Sequence, residues 1–159
     1  MEDIRILVVD DEAVVRESLT AWLRENGFSA YPVEDGPMAL ERVKAEDWDI
    51  LMVDLIMPGM NGMEVLEEVK RLKPEIAVLI ITAYPSIDTA VKAMKVGAYD
   101  YIVKPFNPEE VGLTVRKIID YQAVVRENLR LRQKLLEAYG TRYICRNCGH
   151  ELTLSDQYQ

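Results

Sequence analysis

Five residues carry the side chains of a pocket for anion chemistry: Asp10, Asp11 and Asp54 offer carboxylates, Thr82 a hydroxyl and Lys104 an ammonium. Three carboxylates gathered without compensation would repel, raise one another's pKa and destabilise the fold, so the set asks for a cation. Hard oxygen donors favour Mg²⁺, which prefers octahedral geometry and keeps several waters. Lys104 adds a fixed positive charge for an anionic oxygen, and Thr82 a donor for another. Those parts suit phosphoryl transfer, where catalysis is mostly charge neutralisation and alignment. A carboxylate can itself be the nucleophile. No histidine, serine or cysteine nucleophile with its own base is visible, because the single histidine, His150, lies far down the chain. Taken one at a time, Asp10 or Thr82 is better explained as a cap or turn residue. Five such residues at successive strand ends are not.

The elements that must position them are legible as short apolar runs between amphipathic stretches. Ile4–Val9, Ala30–Val33, Ile50–Val53, Val78–Ile81 and Tyr101–Val103 read as strands. Val14–Glu25, Pro37–Ala45, Gly62–Lys70 and Ile87–Val96 place apolar residues three or four apart and read as helices. Strand alternating with helix predicts an α/β fold, a five-stranded parallel sheet wound on both faces, and active positions in such sheets lie at the carboxyl ends of the strands. Asp10 and Asp11 end the first strand, Asp54 the third and Thr82 the fourth, while Lys104 follows the fifth. From Pro108, with Asn107 as cap, helical sequence continues through Glu137 to a stop at Gly140, longer than a covering helix needs.

The composition sets limits on partners. Net charge is −8, so no broad basic surface for nucleic acid or anionic lipid is expected. The acidity is local: residues 1–116 hold 22 acidic against 12 basic side chains, residues 117–137 hold 3 against 5. Nothing at the N-terminus resembles a secretory signal and no run reaches the ~20 apolar residues of a membrane helix, which gives a cytoplasmic expectation. The two cysteines, Cys145 and Cys148, cannot brace the main domain as a disulfide framework would.

Residues from Asp3 to about Tyr121 resemble the response-regulator receiver family, the CheY-like domains of bacterial two-component signalling. The resemblance rests on Ile6-Leu7-Val8-Val9-Asp10-Asp11-Glu12, Asp54-Leu55-Ile56-Met57-Pro58-Gly59-Met60-Asn61-Gly62, Ile80-Ile81-Thr82-Ala83 and Gly97-Ala98-Tyr99-Asp100-Tyr101-Ile102-Val103-Lys104-Pro105-Phe106. It implies a flavodoxin-like fold and Asp54 as phosphoacceptor from a sensor histidine kinase. It implies Mg²⁺ on Asp10, Asp11, Asp54 and the backbone carbonyl of Ile56, with Lys104 on the phosphoryl group. Thr82 and Tyr101 become the switch pair, and Lys104-Pro105 resembles the family's cis peptide. Gly62 is expected to permit a tight turn into the third helix. Ile56 and Tyr84 are bulky where the family tunes access of water, which predicts slow self-dephosphorylation.

The long helix, with Arg126-Glu127-Asn128-Leu129-Arg130-Leu131-Arg132, resembles the linker of nitrogen-regulation-type activators. Two apolar seams run along it in alternating steps of three and four. One is Val115, Ile118, Gln122, Val125, Leu129, Arg132, Leu136; the other Val124, Asn128, Leu131, Leu135, Ala138. Either predicts a short coiled coil and a homodimer, against the alternative of a frayed solvent-facing extension. The tail from Tyr143 to Leu152 resembles one knuckle of a zinc ribbon. Two thiolates from each of two chains would complete a four-ligand Zn²⁺ site. The alternatives are a redox or unliganded CxxC in a loose tail and a remnant of a longer ancestor.

These readings give a receiver over 1–121, a helix over 122–139 and a CxxC tail over 140–159. The function expected is a phosphorelay response regulator that switches a partner-binding or dimerisation surface, not an enzyme on external substrates, with no DNA-binding output and an unidentified downstream protein. The rival readings are a zinc-linked dimerisation adaptor and a Mg²⁺-dependent phosphotransferase. The latter is disfavoured because Asp10 and Asp11 are adjacent and no cap domain is present to enclose a substrate.

Overall fold

The computed structural model describes residues 3–139, 142–144, 147 and 151–153. Five strands, β1 (Arg5–Val9), β2 (Ser29–Val33), β3 (Ile50–Asp54), β4 (Ala77–Thr82) and β5 (Asp100–Val103), alternate with α1 (Ala13–Glu25), α2 (Gly36–Ala45), α3 (Gly62–Leu72), α4 (Ile87–Val96) and α5 (Pro108–Tyr139). The strands form one sheet in the order β2-β1-β3-β4-β5, all pairs parallel. This is the five-stranded parallel α/β sheet predicted from the apolar runs, in the flavodoxin-like topology that the resemblance implied, with each boundary within two residues of the expected one. The order reverses beside β1, so the carboxyl ends of β1 and β3 border the crevice where such sheets hold their ligands.

Burial on both faces explains the unbroken apolar runs. Leu51, Val53, Val78 and Ile80 are fully buried with Val65, Leu66 and Val69 of α3 and Ala39 and Val43 of α2. The helices start where side chains can satisfy their free amides. Asp35 accepts from Met38 N at 2.9 Å, Asn61 from Glu64 N at 3.0 Å and Ser86 from Thr89 N at 3.1 Å. Asn107 accepts from Glu109 N at 3.1 Å as the sequence suggests, and α4 stops at Gly97, whose φ of 120° favours glycine.

The chain divides into two units, Met1–Ile118 and Ile119–Gln159. Along α5, Val111, Val115 and Ile118 are fully buried in the first unit, and from Ile119 to Ala138 no residue is buried. The second unit also holds an antiparallel pair that the sequence reading missed: β6 (Arg142–Ile144) and β7 (Glu151–Thr153), with Ile144 opposite Glu151. Cys145, Cys148, His150 and Gly140 lie outside the described residues.

Candidate functional site

The pocket is assembled by strand ends. Asp10 follows β1, Asp54 ends β3 and Thr82 ends β4, and all three are buried, at 3, 5 and 0% exposure. Lys104 follows β5 and reaches across the sheet edge: its Nζ donates to Asp10 Oδ2 at 2.8 Å and to Asp54 Oδ2 at 3.0 Å. It also lies 3.6 Å from Glu12 Oε1. The Lys104-Pro105 peptide is cis, as the resemblance implied. Backbone bonds fix the loops around the side chains. Lys104 N donates to Thr82 O at 2.7 Å, and Leu55 N to Ile81 O at 2.8 Å.

Each acid is held by a local amide. Glu12 N donates to Asp10 Oδ1 at 2.9 Å and Ile56 N to Asp54 Oδ1 at 3.3 Å. Arg16 of α1 donates to the Asp10 carbonyl at 2.7 Å and steadies the turn after β1. Burial pushes the Asp54 carboxyl above its ordinary range, the Lys104 hydrogen bond pulls it down, and the Asp10 charge pushes it up again, for a net rise. Burial alone would lower Lys104. Its hydrogen bonds and attraction to Asp10 and Asp54 outweigh that, so its pKa is raised and the ammonium stays charged.

The acidic cluster differs from the expected one by one residue. Asp10, Glu12 and Asp54 bring carboxylate oxygens within 4.8 Å of one another, and Asp11, exposed as Glu12 is, lies outside that grouping. Beyond β1 the chain bends at Asp11 and Glu12 takes the N-cap position of α1, which brings the Glu12 carboxylate to 3.6 Å from Lys104 Nζ. Three hard oxygen donors with one ammonium beside them fit Mg²⁺. Ile56 is half exposed and contributes its amide to Asp54.

The two expected switch residues are not joined to each other. Thr82 Oγ1 accepts from Tyr84 N at 3.0 Å, and the Tyr101 hydroxyl pairs with Thr89 Oγ1 of α4 at 3.0 Å. Thr89 was not singled out from sequence; its amide also donates to the Ser86 cap at 3.1 Å. Gly62 also has a different role from the turn expected of it. Its φ is not positive, and a Cβ there would fall 2.3 Å from Asp54 O and 2.8 Å from Leu55 Cα. The residue is glycine because α3 starts against the backbone that carries Asp54.

Comparison with known proteins gives a consistent outcome. The response regulator receiver domain family matches residues 6–116. The chain is 34% identical over 143 residues to regulatory protein AtoC of Escherichia coli strain K12, covering 90% of this chain and 31% of that protein. It is 42% identical over 118 residues to transcriptional regulatory protein ZraR of Klebsiella oxytoca, covering 74% and 27%. Among solved structures, a CheY-like response regulator receiver domain protein from Methanospirillum hungatei superposes with a TM-score of 0.75 at 28% identity, covering 77% of this chain and 98% of that one.

The relatives overturn the expectation of a regulator without a DNA-binding output, and with it the exclusion of nucleic acid as a partner. They are named as regulatory and transcriptional regulatory proteins, and this chain spans about 30% of their length. The 159 residues therefore correspond to one part of such proteins, and their number says nothing about output. Among the described residues no helix is long and apolar enough to cross a membrane.

Proposed function

The chain belongs to the response-regulator receiver family, and from that premise we propose that Asp54 is the phosphoacceptor for a sensor histidine kinase. The observation that carries the reading is Lys104 Nζ set between Asp10 and Asp54 at 2.8 and 3.0 Å. That placement opposes the rise in the Asp54 pKa and leaves an ammonium for the arriving phosphoryl oxygens. A carboxylate oxygen of Asp54 forms the new O–P bond as the phosphorus–nitrogen bond of the donor phosphohistidine breaks, and the imidazole takes up a proton.

Asp10, Glu12 and Asp54 are the residues that would hold Mg²⁺, with Asp11 and the Ile56 carbonyl as further candidates. The ion, when bound, supplies positive charge to the phosphoryl oxygens. Thr82 releases the Tyr84 amide and donates to the phosphoryl group, so the start of the β4–α4 loop moves inward. Tyr101, held by Thr89, transmits the change to α4. The kinase docks beside the pocket, on a groove of ≈ 490 Å³ where Val14, Leu19, Ala83 and Phe106 lie beside Glu12 and Lys104. Val14, 78% exposed, is its most prominent feature.

The finer parts of this reading are a cytoplasmic protein, a homodimer through the linker-like second half of α5, and a structural Zn²⁺ on Cys145 and Cys148. Metal analysis with Cys145→Ser as control tests the zinc. The phosphoacceptor role is tested by incubating wild type and Asp54→Asn with acetyl phosphate and Mg²⁺. Labelling that requires Asp54 is expected, and equal labelling of the variant would overturn the assignment.

A further inference from the structure

We propose that residues 121–138 of α5 pair with a second copy of this chain as a parallel, in-register, two-stranded coil, along the seam Tyr121, Val124, Asn128, Leu131, Leu135 and Ala138. The inference rests on the homodimer reading and decides between its two seams. From Ile119 to Ala138 nothing in the helix is buried, although Val124 is 60% exposed, Leu131 46% and Leu135 55%. A helix carrying that much apolar surface is expected to cover it with a partner.

The structure weakens the other seam. Its first two members, Val115 and Ile118, are fully buried in the receiver unit and cannot also face a second helix. Its remainder sets Gln122 and Arg132 among Val125, Leu129 and Leu136, so two of five positions are polar. In the proposed seam Tyr121, Asn128 and Leu135 fall at position a of a heptad, and Val124, Leu131 and Ala138 at position d. Asn128 is then the only amide in the seam. A single asparagine at a, with leucine at the following d, specifies two strands in one register, because each amide finds its partner only opposite its own copy. In the antiparallel arrangement that superposes these layers, Asn128 would face Leu131 and lose that partner.

Charge supports the same register. Glu127 falls at position g and Arg132 at the following e, the two positions that meet across a parallel dimer. The twofold axis makes that attraction twice. Within its own helix Glu127 is held by Arg130 at 2.5 Å and 2.8 Å, which lowers its pKa and keeps it anionic. The rejected seam places Tyr121, Asn128 and Leu135 at g with Arg126 and Gln133 at e, and offers no pair of opposite charges.

The test uses the chain with Cys145→Ser and Cys148→Ser, adding Leu131→Cys in one variant and Leu129→Cys in another. Under mild oxidation Leu131→Cys is expected to give a covalent dimer and Leu129→Cys little. In sedimentation, Glu127→Lys is expected to weaken the dimer about tenfold and Glu127→Lys with Arg132→Glu to restore it. Acetyl phosphate labelling of Asp54 should be unchanged in all of them. A monomeric parent chain would overturn the homodimer and this register together. A dimer that cross-links through position 129 in preference to 131, or that the double charge swap fails to restore, would overturn the register alone. A failure of Asp54 labelling would bear on the phosphoacceptor role and not on the coil.

Discussion

Lys104 Nζ lies 3.0 Å from Asp54 Oδ2, although 50 residues separate the two in sequence. The same ammonium bonds Asp10 at 2.8 Å, and its side chain is only 10% exposed. One cation therefore compensates two buried acids, and removing it leaves both without a countercharge. Lys104→Met is expected to cost about 3 kcal/mol in urea unfolding. The loss should shrink when Asp54→Asn is added, since the variant pocket then holds one acid instead of two. A loss of the same size in both backgrounds would show that Lys104 stabilises the fold by some other contact.

Asp54 carries the opposite sign. Its carboxyl pKa is raised above 3.8 by burial and by Asp10 despite Lys104. A carboxyl raised in the folded state adds stability while it is protonated, in full below 3.8, and that contribution is lost as pH rises through the folded value. At pH 7 without Mg²⁺, Asp54→Asn should therefore raise Tm by about 2–4 °C, with the advantage disappearing under acid conditions. Millimolar Mg²⁺ should stabilise the wild type more than the variant, because a ligand that binds only the folded state stabilises it by an amount that grows with the logarithm of its affinity. Equal melting temperatures at pH 7, with and without the ion, would contradict this account of the pocket.

Gly62 ties the start of α3 to the backbone of Asp54, the proposed phosphoacceptor. The atoms that an added Cβ would meet are Asp54 O and Leu55 Cα, and neither can turn aside as a flexible side chain would. Gly62→Ala is expected to destabilise by about 1–3 kcal/mol and to slow acetyl phosphate labelling by displacing Asp54. Gly62→Ala protein with native labelling rate and native stability would mean that α3 can shift freely.

Ile56 and Tyr84 stand at 52 and 71% exposure just beyond Asp54 and Thr82. Large side chains at the rim restrict the approach of hydrolytic water to a phosphoryl group on Asp54. Loss of label in Mg²⁺ is expected to be slow, and Ile56→Asn to accelerate it. Decay of the wild type within seconds would count against this role.

The sequence by itself determined the sheet, because a parallel strand covered on both faces must be apolar throughout, and Ile50–Val53 and Val78–Ile81 could be read for that reason alone. It also determined which residues end the strands, and so named Asp10, Asp54, Thr82 and Lys104. Only the tertiary structure decided which of them touch. Lys104 meets two acids from different strands, a pairing set by strand order and not by any local spacing. Glu12, at the N-cap of α1 after the bend at Asp11, comes within reach of Asp10 and Asp54. The Thr89–Tyr101 bond joins α4 to an edge strand 12 residues away, and nothing in the cap at Ser86 announces it. The β6–β7 pair escaped detection because three-residue strands are too short for periodicity to show. Along α5 two apolar seams coexist in the sequence, and it was the burial of Val115 and Ile118 in the receiver that separated them, since a side chain already packed in one core cannot serve another.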